Sequence, residues 1–421
     1  MENTRKAKIV TAFSSPIYRP QFGEARMLFN ISELLLRRGH DVRVLSIGDR
    51  AYEIAGENGY HETVIRRTPD IITHADGKKV RGYRASMESL VERFIAQRGA
   101  LNSEPEMINR LNEEKPEIIL TSNFYMPHVV DILDTIVKYK MDTFNSSGRA
   151  PKLIILTADY RAVSDFFETE KERFISRMGA VENGDLASVN LDFSNSVKSI
   201  YSEMIAYADA VVFYTDQDLE FAKGRYPARV REKLLRIQPA LDIGVEKAKT
   251  REKLEKAIFV GTPRHLRNAV TIEMIKNVIA PRVPGVVFII AGPDLAECRQ
   301  GNVVCLDFRD DTRQLIKDSD VYVAPVMSGA GISTKFLDPI SLGIPIITTP
   351  KGAEGYPAVH MKDMIIEPDP AGFPYWINEL NSKESRARLA ANASTGMEAY
   401  FSPEAVGRKW DELISKLLDM R

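Results

Sequence analysis

The chain has 421 residues, 44% of them apolar, with 57 basic and 58 acidic side chains and two cysteines. That length exceeds one ordinary domain and fits two of about 200 residues, each with ample core material. The balanced charge excludes a global field for nucleic acid. Two cysteines, Cys298 and Cys305, exclude a disulfide framework and read as packed, reduced thiols of a cytoplasmic protein. No apolar run approaches the roughly 18 residues of a membrane span.

The N-terminal KIVTAFS (8–14) reads as a first strand and not as a leader. Residues 24–38 (EARMLFNISELLLRR) place Met27, Leu28, Ile31, Leu34 and Leu35 on one helical face, Gly39 ends the helix, and DVRVLSIG follows as a strand. This is a parallel crossover unit, and the loop before its helix carries Gly23, where a ligand can approach the backbone. Residues 78–98 read as a basic amphipathic helix, either a solvated face or a surface for anionic lipid. EIILTSN (117–123) is a strand, with His128 at the start of the following helix. KLIILTADYR (152–161) is another strand, delivering Asp159 to its carboxyl end, where ligands bind in open α/β sheets. Asp159 and His128 are therefore candidate catalytic residues, against the alternatives of a helix cap and a satisfied buried histidine. ADAVVFYT (208–215) and LLRIQPALD (234–242) close a first domain over residues 1–242.

Residues 243–256 are charged, lack a packing pattern and read as a linker. A second alternating series then begins with KAIFVG (256–261) and continues through VVFIIAG (286–292), NVVCLDF (302–308) and VYVAPV (321–326). It defines a second domain over 243–402, with a last helix over 403–420 that can return to the first. The fold class is α/β: two doubly wound Rossmann-like domains facing each other across a cleft.

The most informative stretch is 321–356, VYVAPVMSGAGISTKFLDPISLGIPIITTPKGAEGY. A strand leads into Ser328, Gly329, Ala330 and Gly331, small residues that let backbone N–H groups approach a phosphate, and a helix over 333–342 adds its dipole. Asp338 lies in that helix, within reach of a sugar hydroxyl. Pro339 after it predicts a kink. The pair Asp318 and Asp320 spells D-x-D, but it flanks a helix end and reads as structural, as do Asp310 and Asp311.

The ordered set ADAVVFYTDQD, RIQPALD, AIFVGTPRHLRN, FIIAGP and GAGISTKFLDPISLGIPIITTPKGAEG resembles the GT-B glycosyltransferases, above all glycosyltransferase family 4, group 1. Many of these carry G-x-G-x3-K-x-x-E, then G-x-P-V-x-x-T, then G-x-E-G. Here the elements are Gly329, Gly331, Lys335 and Asp338, then Gly343 to Thr349, then Gly352 to Gly355. The resemblance implies a nucleotide-sugar donor in the second domain, uridine preferred over guanosine, and a hydroxyl acceptor in the first. The acceptor is a glycan, a lipid-linked sugar or a small molecule, reached in the cytoplasm or at the inner face of a membrane. Gly329, Ala330 and Gly331 align with backbone at the donor diphosphate, and Lys335 belongs to the same pattern. Arg264 and Arg267 stand in the loop that supplies cations to the diphosphate. Asp338 aligns with the glutamate that binds the nucleotide ribose.

No cofactor and no metal ion is implied. Two departures stand out. Ala330 occupies the position where retaining members carry a glutamate, and Ala158-Asp159 stands for the frequent His-Asp pair. Inverting transfer needs a base for the acceptor hydroxyl, which Asp159 would supply. Both stereochemical outcomes stay open on the residues alone. An epimerase and a non-catalytic nucleotide-sugar-binding protein of the same fold are the alternative functions.

Overall fold

A computed structural model of the chain describes residues 5–13, 16–18, 23–48, 50–66, 70–73, 79–82, 105–122, 127–157, 205–241, 247–263, 266–307 and 312–420. The chain forms two compact units. The first comprises residues 1–213, 218–237 and 407–421, and the second 214–217 and 238–406.

The first unit holds an eight-stranded sheet. Its strands are β1 (Lys8–Phe13), β2 (Asp41–Gly48), β3 (Tyr52–Ala55), β4 (His61–Arg66), β7 (Ile118–Ser122), β8 (Lys152–Thr157), β9 (Ala210–Phe213) and β10 (Leu234–Arg236), in the order β10-β9-β8-β7-β1-β2-β4-β3. Every neighbouring pair is parallel except β3 with β4. β1, β7 and β8 are buried at nearly every position, which is why they read as continuous apolar runs: helices cover both faces of a parallel sheet. The helix Gly23–Arg37 buries Met27, Leu28, Ile31, Leu34 and Leu35, the face its spacing predicts. It ends where Gly39 turns left-handed, with His40 N–H donating to Leu35 O and Gly39 N–H to Leu36 O, a double-bonded helix stop.

Residues 78–98 differ from expectation. β5 (Asp70–Thr73) and β6 (Lys79–Gly82) form a separate antiparallel ribbon, so the predicted helix does not begin at 78. Extended β pairing wins there over helical spacing, and residues 83–98 lie outside the described residues.

The second unit holds a seven-stranded sheet of β11 (Lys256–Val260), β12 (Val287–Ala291), β13 (Cys298–Gln300), β14 (Val303–Leu306), β15 (Val321–Ala324), β16 (Ile346–Thr348) and β17 (Ile365–Ile366), in the order β13-β14-β12-β11-β15-β16-β17. Only β13 runs antiparallel. It places Cys298 directly opposite Cys305. Cys305 is buried as predicted, whereas Cys298 is exposed, because it sits on an edge strand with every side chain in solvent.

The charged run before β11 is not a free linker. Ala248 N–H donates to Leu342 O, Leu254 is buried, and Arg251 pairs with Asp320 at 3.0 Å. Asp320 also accepts from Glu255 N–H and Lys256 N–H at 2.9 Å, so the second aspartate of the D-x-D spelling pins the entry to β11. A carboxylate with three donors and almost no exposure is a structural anchor. Among the described residues no helix is long and apolar enough to cross a membrane.

Candidate functional site

β15 ends at Ala324, and the loop after it is shaped by two glycines with left-handed backbone, Gly329 (φ 123°) and Gly331 (φ 70°). A Cβ on Gly329 would lie 2.9 Å from Arg267 Nη1, so the guanidinium rests directly against the glycine. Together with Ser328, Ala330 and Lys335, these residues line one pocket, into which Lys351 also projects. Three cations and no carboxylate line it. Lys351 Nζ is paired with Glu354 Oε2 at 3.0 Å.

The walls are held by hydrogen bonds from outside the loop. Thr271 Oγ1 donates to Pro325 O at 3.3 Å, and Asn268 Nδ2 donates to Thr262 O at 2.9 Å, tying the helix Leu266–Met274 to two strand-end loops. Gly292 and Gly261 approach so closely that a Cβ on Gly292 would stand 2.5 Å from Gly261 O. Tyr356 OH donates to Ser333 O at 2.6 Å, and Thr349 Oγ1 accepts from Gly352 N–H at 3.1 Å. The glycine-bearing turn at 351–355 thus buttresses the loop at 328–333.

The predicted helix over 333–342 is two pieces, a 3₁₀ turn Thr334–Phe336 and an α-helix Leu337–Leu342. Pro339 causes no kink. The α-helix starts only at Leu337, so Pro339 falls in its first turn, where an N–H has no intrahelical acceptor. Asp338 does not line the pocket. Its Oδ1 accepts from Arg313 Nη1 at 2.7 Å, and Arg313 Nη2 donates to Ser341 Oγ at 2.9 Å. Tyr322 OH, bonded to Val260 N–H at the end of β11, is kept protonated by burial first and then by the nearby Asp338 charge.

The structure therefore brings Arg267, Ser328, Gly329, Ala330, Gly331 and Lys335 together, with Asp338 close by on the following helix. Gly23 is the first residue of the helix Gly23–Arg37. His128 is the second residue of the helix Pro127–Ser147, and its side chain lies outside the described residues. Arg264 and Asp159 lie outside them altogether. Sequence reasoning missed Lys351 and Arg313. Lys351 had a signal, its place at the head of the G-x-E-G turn; Arg313 had none, since only the fold carries it to Asp338. Among the described residues no group of three or more His, Cys, Asp or Glu side chains is placed to hold a metal ion.

In the first unit, the chain leaving β1 is held by a buried carboxylate. Glu62 accepts from Ile17 N–H and Tyr18 N–H at 2.9 Å each and from Tyr60 OH at 2.8 Å. Burial first, and the Glu62 charge after it, drive the Tyr60 hydroxyl far above its usual range.

Residues 255–381, which contain this pocket, match the family model described as glycosyl transferases group 1. No curated protein matches the chain in sequence. Among solved structures the chain is similar to Anabaena HepE in complex with UDP and glucose, at 13% identity and TM-score 0.62, covering 97% of this chain and 99% of that one. It is similar to an S. aureus TarM variant in complex with Fondaparinux, alpha-GlcNAc-glycerol and UDP, at 9% identity and TM-score 0.62, covering 98% and 100%. WaaG, a glycosyltransferase involved in lipopolysaccharide biosynthesis, is similar at 15% identity and TM-score 0.57, covering 96% and 99%. The chain has the two-unit α/β fold of the GT-B glycosyltransferases, and residues 255–381 of its second unit match the group 1 glycosyl transferases.

Proposed function

We propose that the enzyme moves a sugar from a uridine diphosphate sugar to a hydroxyl of a glycan or lipid-linked acceptor in the cytoplasm. The observation that carries the donor half is the pocket of Arg267, Lys335 and Lys351 around the glycine loop. A leaving nucleoside diphosphate gains charge as the glycosidic bond breaks, and preorganised cations meet that charge without reorganisation. In this reading the protein's own cations do what a divalent ion does elsewhere, and no metal is required. The similarity to HepE and TarM, both in complex with UDP, supports the choice of uridine. The similarity to TarM, in complex with Fondaparinux, and to WaaG, involved in lipopolysaccharide biosynthesis, supports a glycan-type acceptor.

The first unit takes the acceptor, with Gly23 at the start of its first helix as a candidate contact. Ala330 lines the pocket where retaining relatives carry a glutamate, and this favours single displacement with inversion. Asp159, two residues beyond β8 in sequence, is then the base that takes the acceptor proton, with His128, second residue of the helix after β7, as the other catalytic candidate. The test is turnover with labelled UDP- and GDP-sugars, followed by the anomeric configuration of the product. The expected result is turnover of a UDP-sugar with inversion, reduced roughly 10²–10⁴-fold in Asp159→Asn with donor affinity unchanged. An epimerised free donor, or binding without turnover, would overturn the transferase reading. A retained configuration would remove Asp159 from its role.

A further inference from the structure

We propose that Arg313 is the positioning residue for the nucleotide ribose: it holds the Asp338 carboxylate in the one orientation that receives the vicinal hydroxyls. The inference rests on the reading of Asp338 as the ribose acceptor and adds to it a residue from a different helix. Arg313 is the second residue of the helix Thr312–Lys317, 25 positions before Asp338. Its fork is divided, Nη1 to Asp338 Oδ1 at 2.7 Å and Nη2 to Ser341 Oγ at 2.9 Å. Ser341 is buried and its Oγ donates to Asp338 O at 2.9 Å, so the guanidinium is locked from both ends of one helical turn.

Three physical points give the pair a task beyond stability. First, the Arg313 side chain is 37% exposed against 17% for Asp338, so water screens the pair from the arginine side and its contribution to folding is modest. Second, an aspartate reaches about one methylene less than the glutamate of the family pattern, so its direction matters more than a longer side chain's. A guanidinium fork fixes direction in a way that a lysine ammonium does not. Third, the carboxylate is near the strand ends where ligands of open α/β sheets bind, since its charge acts on Tyr322 beside Val260, the last residue of β11. Asp338 with its charge intact but its orientation free would bind ribose and deoxyribose alike.

The test compares UDP with 2′-deoxy-UDP by titration calorimetry on the full-length chain. The wild type is expected to prefer UDP about tenfold or more, the range of a charge-assisted bond. Asp338→Ala removes the preference. Arg313→Ala removes most of it while Asp338 is still present, and Arg313→Lys, which keeps the charge but not the fork, stays well below wild type. Adding Arg313→Ala to Asp338→Ala costs no further preference, because both act on one contact. Thermal midpoints of each variant separate a folding defect from a positioning one, and Ser341→Ala provides a milder disturbance of the same fork. A full UDP preference in folded Arg313→Ala, with none in Asp338→Ala, would overturn the role of Arg313 and leave Asp338 in place. A wild type that binds both nucleotides equally, or neither, would overturn the ribose reading and this inference with it.

Discussion

Gly329 answers to two constraints at once. Its φ of 123° lies where L side chains rarely go, and Arg267 Nη1 occupies the space a Cβ would need. Gly329→Ala is therefore expected to lower stability by about 1–3 kcal/mol through backbone strain and to raise the KM for the sugar donor by displacing Arg267. Gly285→Ala is the matched control, since nothing lies within 4 Å of its added Cβ and its φ is ordinary. Thermal unfolding and donor kinetics of the two variants check this, and equal behaviour would contradict it. The residue scale is where sequence was most legible in this site. Glycines at 329 and 331 and a lysine at 335 announce an anion-binding loop because the chemistry of close backbone approach allows few substitutes. Lys351 and Arg313 were not legible, because lysines and arginines are common on surfaces and only packing shows which ones turn inward.

At the scale of elements, the helix Pro403–Asp419 shows how one buried charge fastens a distant segment. Asp411 accepts from Arg38 Nε at 2.8 Å and from His40 Nε2 at 3.1 Å. Ala7 N–H donates to His40 Nδ1 at 3.2 Å, so the proton of the neutral ring sits on Nε2. Burial lowers the His40 pKa more than Asp411 raises it, and the net shift is downward. For Asp411, burial works upward, but the bonds from Arg38 and His40 outweigh it and the net shift is also downward. Both signs agree. A lowered histidine pKa means that the unfolded chain takes up a proton first, so stability falls as the pH drops below about 6.5. The Asp411 contribution is present above its unfolded pKa of about 3.9 and is lost below it. The urea midpoint is expected to decline between pH 7 and pH 5, and Asp411→Ala to cost about 3–5 kcal/mol at pH 7 by stranding a buried pair. A flat midpoint over that range would show that His40 is not held neutral. Elements were also where sequence reading failed most. The 78–98 stretch reads as a helix, yet residues 79–82 form a strand, because antiparallel pairing with the nearby residues 70–73 wins over helical spacing.

For the whole molecule, the first unit is assembled from three stretches of chain, the last of them residues 407–421. Trp410, Ile414 and Leu417 are buried in that last stretch, and Leu413 is largely so. Burial of four such side chains contributes on the order of 10 kcal/mol, as much as the net stability of a typical domain. A chain ending at Val406 is expected to lose the first unit while the second keeps its fold. Limited proteolysis with fragment mapping checks this; protection of both units in the truncated chain would refute it.

Local chemistry alone determined the alternation of strands and helices, the two series, and the small-residue loop proposed to meet a diphosphate, because these depend on periodicity and on small residues within about ten positions. Tertiary structure decided the rest. It gave Asp320, a structural helix-end residue in the sequence, its distant partners, drew the charged stretch before β11 onto the second unit, and set Arg313 beside Asp338. Each of these is a pairing of groups far apart in sequence. Its energy comes from removing charge and backbone donors from water together, and no single segment of sequence contains both partners.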